Sequence, residues 1–154
     1  MKVTVIGVGN IGGAIARGLS KGTTVQASNI RVSDISADHL QALQTFAPEI
    51  SISRTNAEII KDADIIILAV KPWLVETVAK EIEHKIDYKK QIIVSIAAGV
   101  DFEKLSELFD TEASIFRVIP NTAIDILESV TTIAAQKATK EQQDLVLTLF
   151  AEMG

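Results

Sequence analysis

The sequence contains no cysteine, which excludes a disulfide framework and any zinc site built on thiolates. Its two histidines, His39 and His84, stand far apart, so a His-dominated metal site is not expected either. Proline occurs three times and glycine eight, too few for a disordered or low-complexity chain, and 47% hydrophobic residues suit a packed core. Positive charge is in deficit: 15 Lys and Arg against 20 Asp and Glu give −5, so no basic field exists to draw in a phosphate backbone or an anionic membrane. Long apolar runs are missing too. The longest after the N-terminus, Ile65 to Val70, has six residues, far below the roughly 20 of a membrane span. The opening MKVTVIGV leads into glycines instead of a cleavage site, which argues against a signal peptide. At 154 residues the expectation is one domain, soluble and cytoplasmic, with a small molecule as partner and neither nucleic acid nor membrane.

What is present alternates. Val3 to Ile6 is a short β-branched run, followed by glycines at 7, 9 and 12 and then by Ile11, Ile15 and Leu19 at helical spacing. Strands are expected at Ile30 to Ser33, Ile50 to Ser53, Ala63 to Val70, Ile92 to Ala97, Ser114 to Ile119 and Val130 to Ala135. Between them fall helices: one with Leu40 and Leu43 inward, a short one near Asn56, one after Pro72 carrying Leu74, Val78, Ile82 and Ile86, and one opened by Asp101 with Phe102, Leu105 and Phe109 inward. Thr139 and Gln142 form a capping box for a last helix with Leu145, Leu149 and Met153 on one face, flanked by Val146 and Phe150. That stripe is read as broad enough to pack on the sheet and also meet a following element. Strands alternating with helices require right-handed crossovers. The fold class is therefore α/β, a doubly wound, mostly parallel Rossmann-type sheet with helices on both faces.

The chemistry gathers at the ends of the expected strands. Gly7-Val8-Gly9-Asn10-Ile11-Gly12 has the G-x-G-x-x-G pattern directly after a strand and at the start of a helix. There the first glycine allows the turn, the second admits a pyrophosphate to the backbone, and the third lets helix and strand pack closely. Asp34 ends the second strand 22 residues after Gly12, near the offset at which an acidic residue reaches the adenosine ribose. A carboxylate there favours NADH over NADPH by repelling a 2′-phosphate; the competing role is to cap the helix from Ser36. Ser33 and Ser36 flank it and could donate to a phosphate. Val70-Lys71-Pro72 and Ala97-Ala98-Gly99 lie just beyond strands at the same edge, where their backbone should border the ring of a cofactor. Lys71 is a potential ammonium, more simply a solvated strand-end lysine. Asn121 and Thr122, the neutral polar pair at this rim, are the candidates for a catalytic or substrate-binding role, against a plain turn after Pro120.

Four segments together, VIGVGNIGGAIARGL at 5–19, ADIIILAVKP at 63–72, VSIAAGV at 94–100 and RVIPNTA at 117–123, resemble the pyrroline-5-carboxylate reductases. The resemblance implies NAD(P)H-dependent reduction of the C=N bond of 1-pyrroline-5-carboxylate to L-proline, the last step of proline synthesis. It implies that Gly7 to Ile11 hold the pyrophosphate and Asn56 the adenosine side. Val70, Lys71, Ala97 and Ala98 would neighbour the nicotinamide. The family favours NADPH, against Asp34. It commonly has glycine where Ser129 stands and a proline at the position of Ala123. Its members continue into a helical dimerisation domain, so residues 1–154 are expected to be the cofactor-binding domain alone, poorly active by itself and part of a homo-oligomer. The alternatives are a related imine or β-hydroxyacid reductase and a non-catalytic dinucleotide-binding regulatory domain.

Overall fold

A computed structural model describes all 154 residues. The strands are β1 (Val3–Ile6), β2 (Ile30–Ser33), β3 (Ser51–Ser53), β4 (Ile65–Leu68), β5 (Ile92–Ser95), β6 (Ser114–Ile119) and β7 (Thr132–Gln136). They form one sheet in the order β3-β2-β1-β4-β5-β6-β7. The first six are parallel, in register from Val3 against Ile30 and Ile65 through Ile92 against Ser114. β7 runs antiparallel to β6 at the edge, with Phe116 opposite Ala135. The expected Rossmann-type sheet is thus present.

Helices α1 (Asn10–Lys21), α2 (Ala37–Phe46) and α6 (Lys140–Ala151) cover one face. The helices α3 (Asn56–Ile59), α4 (Val75–Ile82) and α5 (Phe102–Leu108) cover the other. Every residue of β1, β4 and β5 is buried, because both sides of these strands carry helices. Each fully buried Ile or Leu in these layers contributes about 1.5–3 kcal/mol relative to exposure. The rim where the parallel strands begin is closed by polar side chains. Thr4 Oγ1 donates to the Ile59 carbonyl at 2.7 Å, and Gln91 Nε2 to the Ile60 and Ala63 carbonyls at 2.7 and 2.8 Å.

Two helix faces differ in part from the expected ones. After Lys71 the chain makes a 3₁₀ turn, Pro72–Leu74, before α4 begins. The tighter winding of that turn, three residues instead of 3.6, sets Leu74 off the inward face of α4. Val78, Ile82 and Ile86 are buried as expected and are joined by Val75 and Ala79, while Leu74 is exposed. In α6 the strict four-residue spacing of Leu145, Leu149 and Met153 drifts around the helix. Val146, Leu149, Phe150 and Met153 are the core residues, none more than 1% exposed, while Leu145 is half-buried. Most of the stripe is consumed by this domain's own core, while Leu147 on α6 is half exposed. The most exposed large apolar side chains are Ile35, Trp73, Ile126 and Val130.

Candidate functional site

The sheet reverses its winding between β1 and β4, and the crevice beyond their carboxyl ends is where ligands of such sheets bind. β1 delivers Gly7 there with φ +90°, and its N–H donates to the Ser33 carbonyl at 2.8 Å. A side chain at Gly7 would meet the Ala69 carbonyl oxygen at 2.8 Å and Val70 Cγ1 at 2.9 Å. One at Gly12 would run into the Gly7 carbonyl itself. Gly9 is different: a Cβ there has nothing within 4 Å, so it projects into open space above the loop.

Gly9 is also the N-cap of α1. No side chain caps that helix, and its first turn carries no acidic residue. The first intrahelical bond is from Gly13 N–H to Gly9 O at 2.8 Å. The N–H groups of Asn10, Ile11 and Gly12 therefore have no partner within the helix, and the helix dipole adds positive potential beside the open surface of Gly9. A dinucleotide pyrophosphate matches this donor set without needing a cationic side chain.

Asp34 lies next to the loop. Its Oδ2 accepts the Val8 N–H at 2.7 Å and its Oδ1 the Ser36 N–H at 2.8 Å, with His39 Nδ1 at 3.6 Å. The carboxylate therefore ties β2 to the glycine loop. Ser36 caps α2 by accepting His39 N–H at 3.2 Å. Ser33 is fully buried and donates to Asn56 Oδ1 at 2.7 Å, which withdraws it from the phosphate-donor role expected of it. Asn56, at the start of α3, donates from Nδ2 to Glu81 Oε2 at 2.6 Å, a link to α4 that the sequence reading missed.

On the other side of the switch point, Ala69 N–H bonds the Ile6 carbonyl at 2.8 Å and Ile96 N–H the Leu68 carbonyl at 3.1 Å, which brings Val70 and Ala97 to the crevice. Lys71 is exposed and in no ion pair; its carbonyl accepts the Leu74 N–H at 2.9 Å, with Pro72 opening the turn. Ala97 is buried, Ala98 is exposed, and Gly99 turns the chain at φ +80°. Asn121 caps a 3₁₀ turn, Thr122–Ile126, through Oδ1 accepting Ala123 N–H at 3.1 Å, which leaves its Nδ2 free to donate. Thr122 is exposed beside it. Ser129, at the position where the resemblance leads one to expect glycine, is buried, and its Oγ accepts the Asn121 N–H at 3.2 Å. The departure is absorbed as a loop tie. Arg117 on β6 stacks on Phe102 at 5.8 Å, its Nε buried without a partner.

A parallel sheet with a glycine turn and an uncapped helix start at its switch point defines a Rossmann-type dinucleotide-binding domain. Residues 2–99 match the family described as NADP oxidoreductase, coenzyme F420-dependent, and the chain belongs to it. Pyrroline-5-carboxylate reductase of Methanosarcina acetivorans is 34% identical over 154 residues, covering 99% of this chain and 56% of that protein. Pyrroline-5-carboxylate reductase 3 of Danio rerio is 32% identical over 147 residues, 96% of this chain and 50% of the relative. The chain thus spans about half the length of the relatives it matches. Among solved structures, pyrroline-5-carboxylate reductase of Coxiella burnetii superposes with a TM-score of 0.91 at 25% identity, over 99% of this chain and 56% of that one. The Plasmodium falciparum pyrroline carboxylate reductase with NADP bound has a TM-score of 0.88 at 24% identity, covering 100% of this chain and 55% of that one. The resemblance carried by the four segments therefore extends along the whole chain.

Proposed function

We propose that this chain is the cofactor-binding part of an NAD(P)H-dependent reductase that converts 1-pyrroline-5-carboxylate to L-proline. The observation that carries the dinucleotide half is the open face of Gly9 beside the uncapped first turn of α1. The substrate comes from the names of the relatives.

Gly7 to Gly12 would hold the pyrophosphate, with Asp34 and Asn56 on the adenosine side and Val70, Lys71, Pro72, Ala97 and Ala98 bordering the nicotinamide. A reduced nicotinamide, when bound, supplies the hydride that a C=N bond accepts. The chain's own task is positional. Small side chains at Ala97 and Ala98 leave room for a flat ring. The free Nδ2 of Asn121 and the hydroxyl of Thr122 supply donors at the rim, where a ring nitrogen or carboxamide can be held. No helix is long and apolar enough to cross a membrane, and we assign the protein to the cytoplasm as a homo-oligomer acting on this small molecule.

Calorimetry with NADH and NADPH tests the first half, and turnover of pyrroline-5-carboxylate tests the second. Binding with turnover supports the reading. Binding with no turnover, both here and in a protein of the relatives' full length, would move it to a dinucleotide-sensing domain.

A further inference from the structure

We propose that Arg54 selects a dinucleotide bearing a 2′-phosphate, an inference that rests on the dinucleotide reading above. The acidic residue ending the second strand of such a sheet ordinarily takes the ribose hydroxyls and excludes that phosphate. In this chain the carboxylate of Asp34 is turned inward. Both of its oxygens accept main-chain N–H groups, from Val8 and Ser36, and only 11% of its side chain is exposed. Its charge is spread over two donors that belong to the loop and to the next turn.

What faces outward at this point comes from the neighbouring strand. β3 pairs with β2 in parallel register, Ser33 opposite Ser53, so Asp34 and Arg54 leave the sheet side by side. Arg54 Nη2 donates to the Ile35 carbonyl at 3.0 Å, which fixes the guanidinium one residue beyond Asp34. That is its single hydrogen bond, and no carboxylate pairs with it. A guanidinium has five N–H donors in a planar fork matched to phosphate oxygens, so most of that capacity is left without a protein partner on an exposed side chain. The Ser36 hydroxyl accepts His39 N–H at 3.2 Å and keeps its own proton for donation. A fork of cationic donors and one hydroxyl, beside an acid whose oxygens are already engaged by main-chain donors, recognises a phosphate monoester dianion and not a pair of neutral hydroxyls.

The experiment is calorimetric titration of the chain, of Arg54→Gln and of Asp34→Asn with NADPH and with NADH, each variant checked for fold by circular dichroism. Arg54 is exposed, so its substitution leaves the core untouched. The chain is expected to bind NADPH more tightly than NADH. Arg54→Gln is expected to lose about tenfold in NADPH affinity, the scale of one charge-assisted hydrogen bond, with NADH unchanged within about twofold. Asp34→Asn is expected to weaken both cofactors alike, because it loosens the loop both share. An unchanged NADPH to NADH ratio in Arg54→Gln, with both cofactors still bound, overturns the role of Arg54 alone. Tighter binding of NADH than NADPH by the unaltered chain overturns it as well. If neither cofactor binds the unaltered chain, the dinucleotide reading fails and this inference falls with it.

Discussion

The two sides of the crevice are built differently. The side from β1 to β3 is held by short internal bonds: Gly7 N–H to the Ser33 carbonyl, Val8 N–H to the Asp34 carboxylate, and the Ser33 hydroxyl to Asn56 Oδ1, at 2.7–2.8 Å. These bonds fix the loop from within the chain and leave the N–H groups of Asn10, Ile11 and Gly12 as its open donors. The side from β4 to β6 ends in small residues and exposed turns. It holds one exposed lysine, Lys71, and the donors of Asn121 and Thr122, and the helices behind it are joined at the surface by Glu76 bonded to Lys80 and Lys104 at 2.8 and 3.0 Å. A cradle for a phosphate can be made from backbone alone. The reacting end of a hydride transfer needs room and a few donors, and it gains its precision from whatever holds the substrate in place.

The largest expected effect breaks the cradle itself. Gly12→Ala places a Cβ against the Gly7 carbonyl, a backbone atom with no freedom to retreat. The expected loss is about 3 kcal/mol or more of stability, read as a fall in denaturation midpoint. Wild-type stability in that variant would show the helix and strand to be less closely packed than described.

Gly9→Val separates fold from binding at the same loop. Its Cβ meets nothing, so stability should change little, but the side chain occupies the face that a pyrophosphate would approach. Losing two charge-assisted main-chain bonds corresponds to about a 100-fold loss of dinucleotide affinity. Calorimetry decides it; unchanged affinity would remove Gly9 from the site.

Sequence reading reached the first side further than the second, and the reasons are physical. The β2 and β6 boundaries, the glycine turn and the Thr139 capping box were legible because each depends on local chemistry. Leu74 was misplaced because a 3₁₀ turn changes the period without a residue that announces it. Arg54 and Glu81 became site neighbours only through strand order and helix packing, which local patterns do not carry. Arg54 had a signal all the same: in a doubly wound sheet the end of the third strand lies beside the end of the second, so a basic residue there stands beside the residues that follow β2. The direction of β7 depends on pairing partners, not on its own apolar content.

A smaller effect tests how far the tight bonding on the cradle side extends. Glu152, at the end of α6, accepts Thr23 N–H at 2.7 Å, Thr24 N–H at 2.8 Å and the Thr23 hydroxyl at 3.0 Å, where α1 turns toward β2. Burial pushes its carboxyl up, but the donors of Thr23 and Thr24 outweigh it and the group titrates below its ordinary 4.5. A carboxyl depressed in the folded state stabilises above its unfolded value, and that contribution is lost as pH falls through the folded one. Glu152→Gln should cost about 1–2 kcal/mol at neutral pH. It should also flatten the stability profile below pH 4.5. A parallel profile for both proteins would mean the carboxylate is solvated in solution.

The smallest effect belongs to the rim side and sharpens the contrast. Glu76 on α4 takes hydrogen bonds and charge from Lys80 and Lys104, which hold its carboxyl down at about 2, and Lys104 rises in return. The depressed value again means stability present above 4.5 and lost between there and about 2. Yet the carboxylate lies open to solvent, where salt and water screen the pair and the ordering of long side chains offsets the attraction. Glu76→Gln should therefore lower the thermal midpoint only slightly, and an NMR titration of the unaltered chain should correspondingly place the Glu76 midpoint only modestly below 4.5. Added salt should raise the Glu76 midpoint toward 4.5 and leave the Val8 amide resonance, bonded to Asp34, in place. If salt moved both together, the buried and the exposed side of the crevice would be one electrostatic unit, and the division between a cradle held by backbone and a rim held by surface charge would not stand.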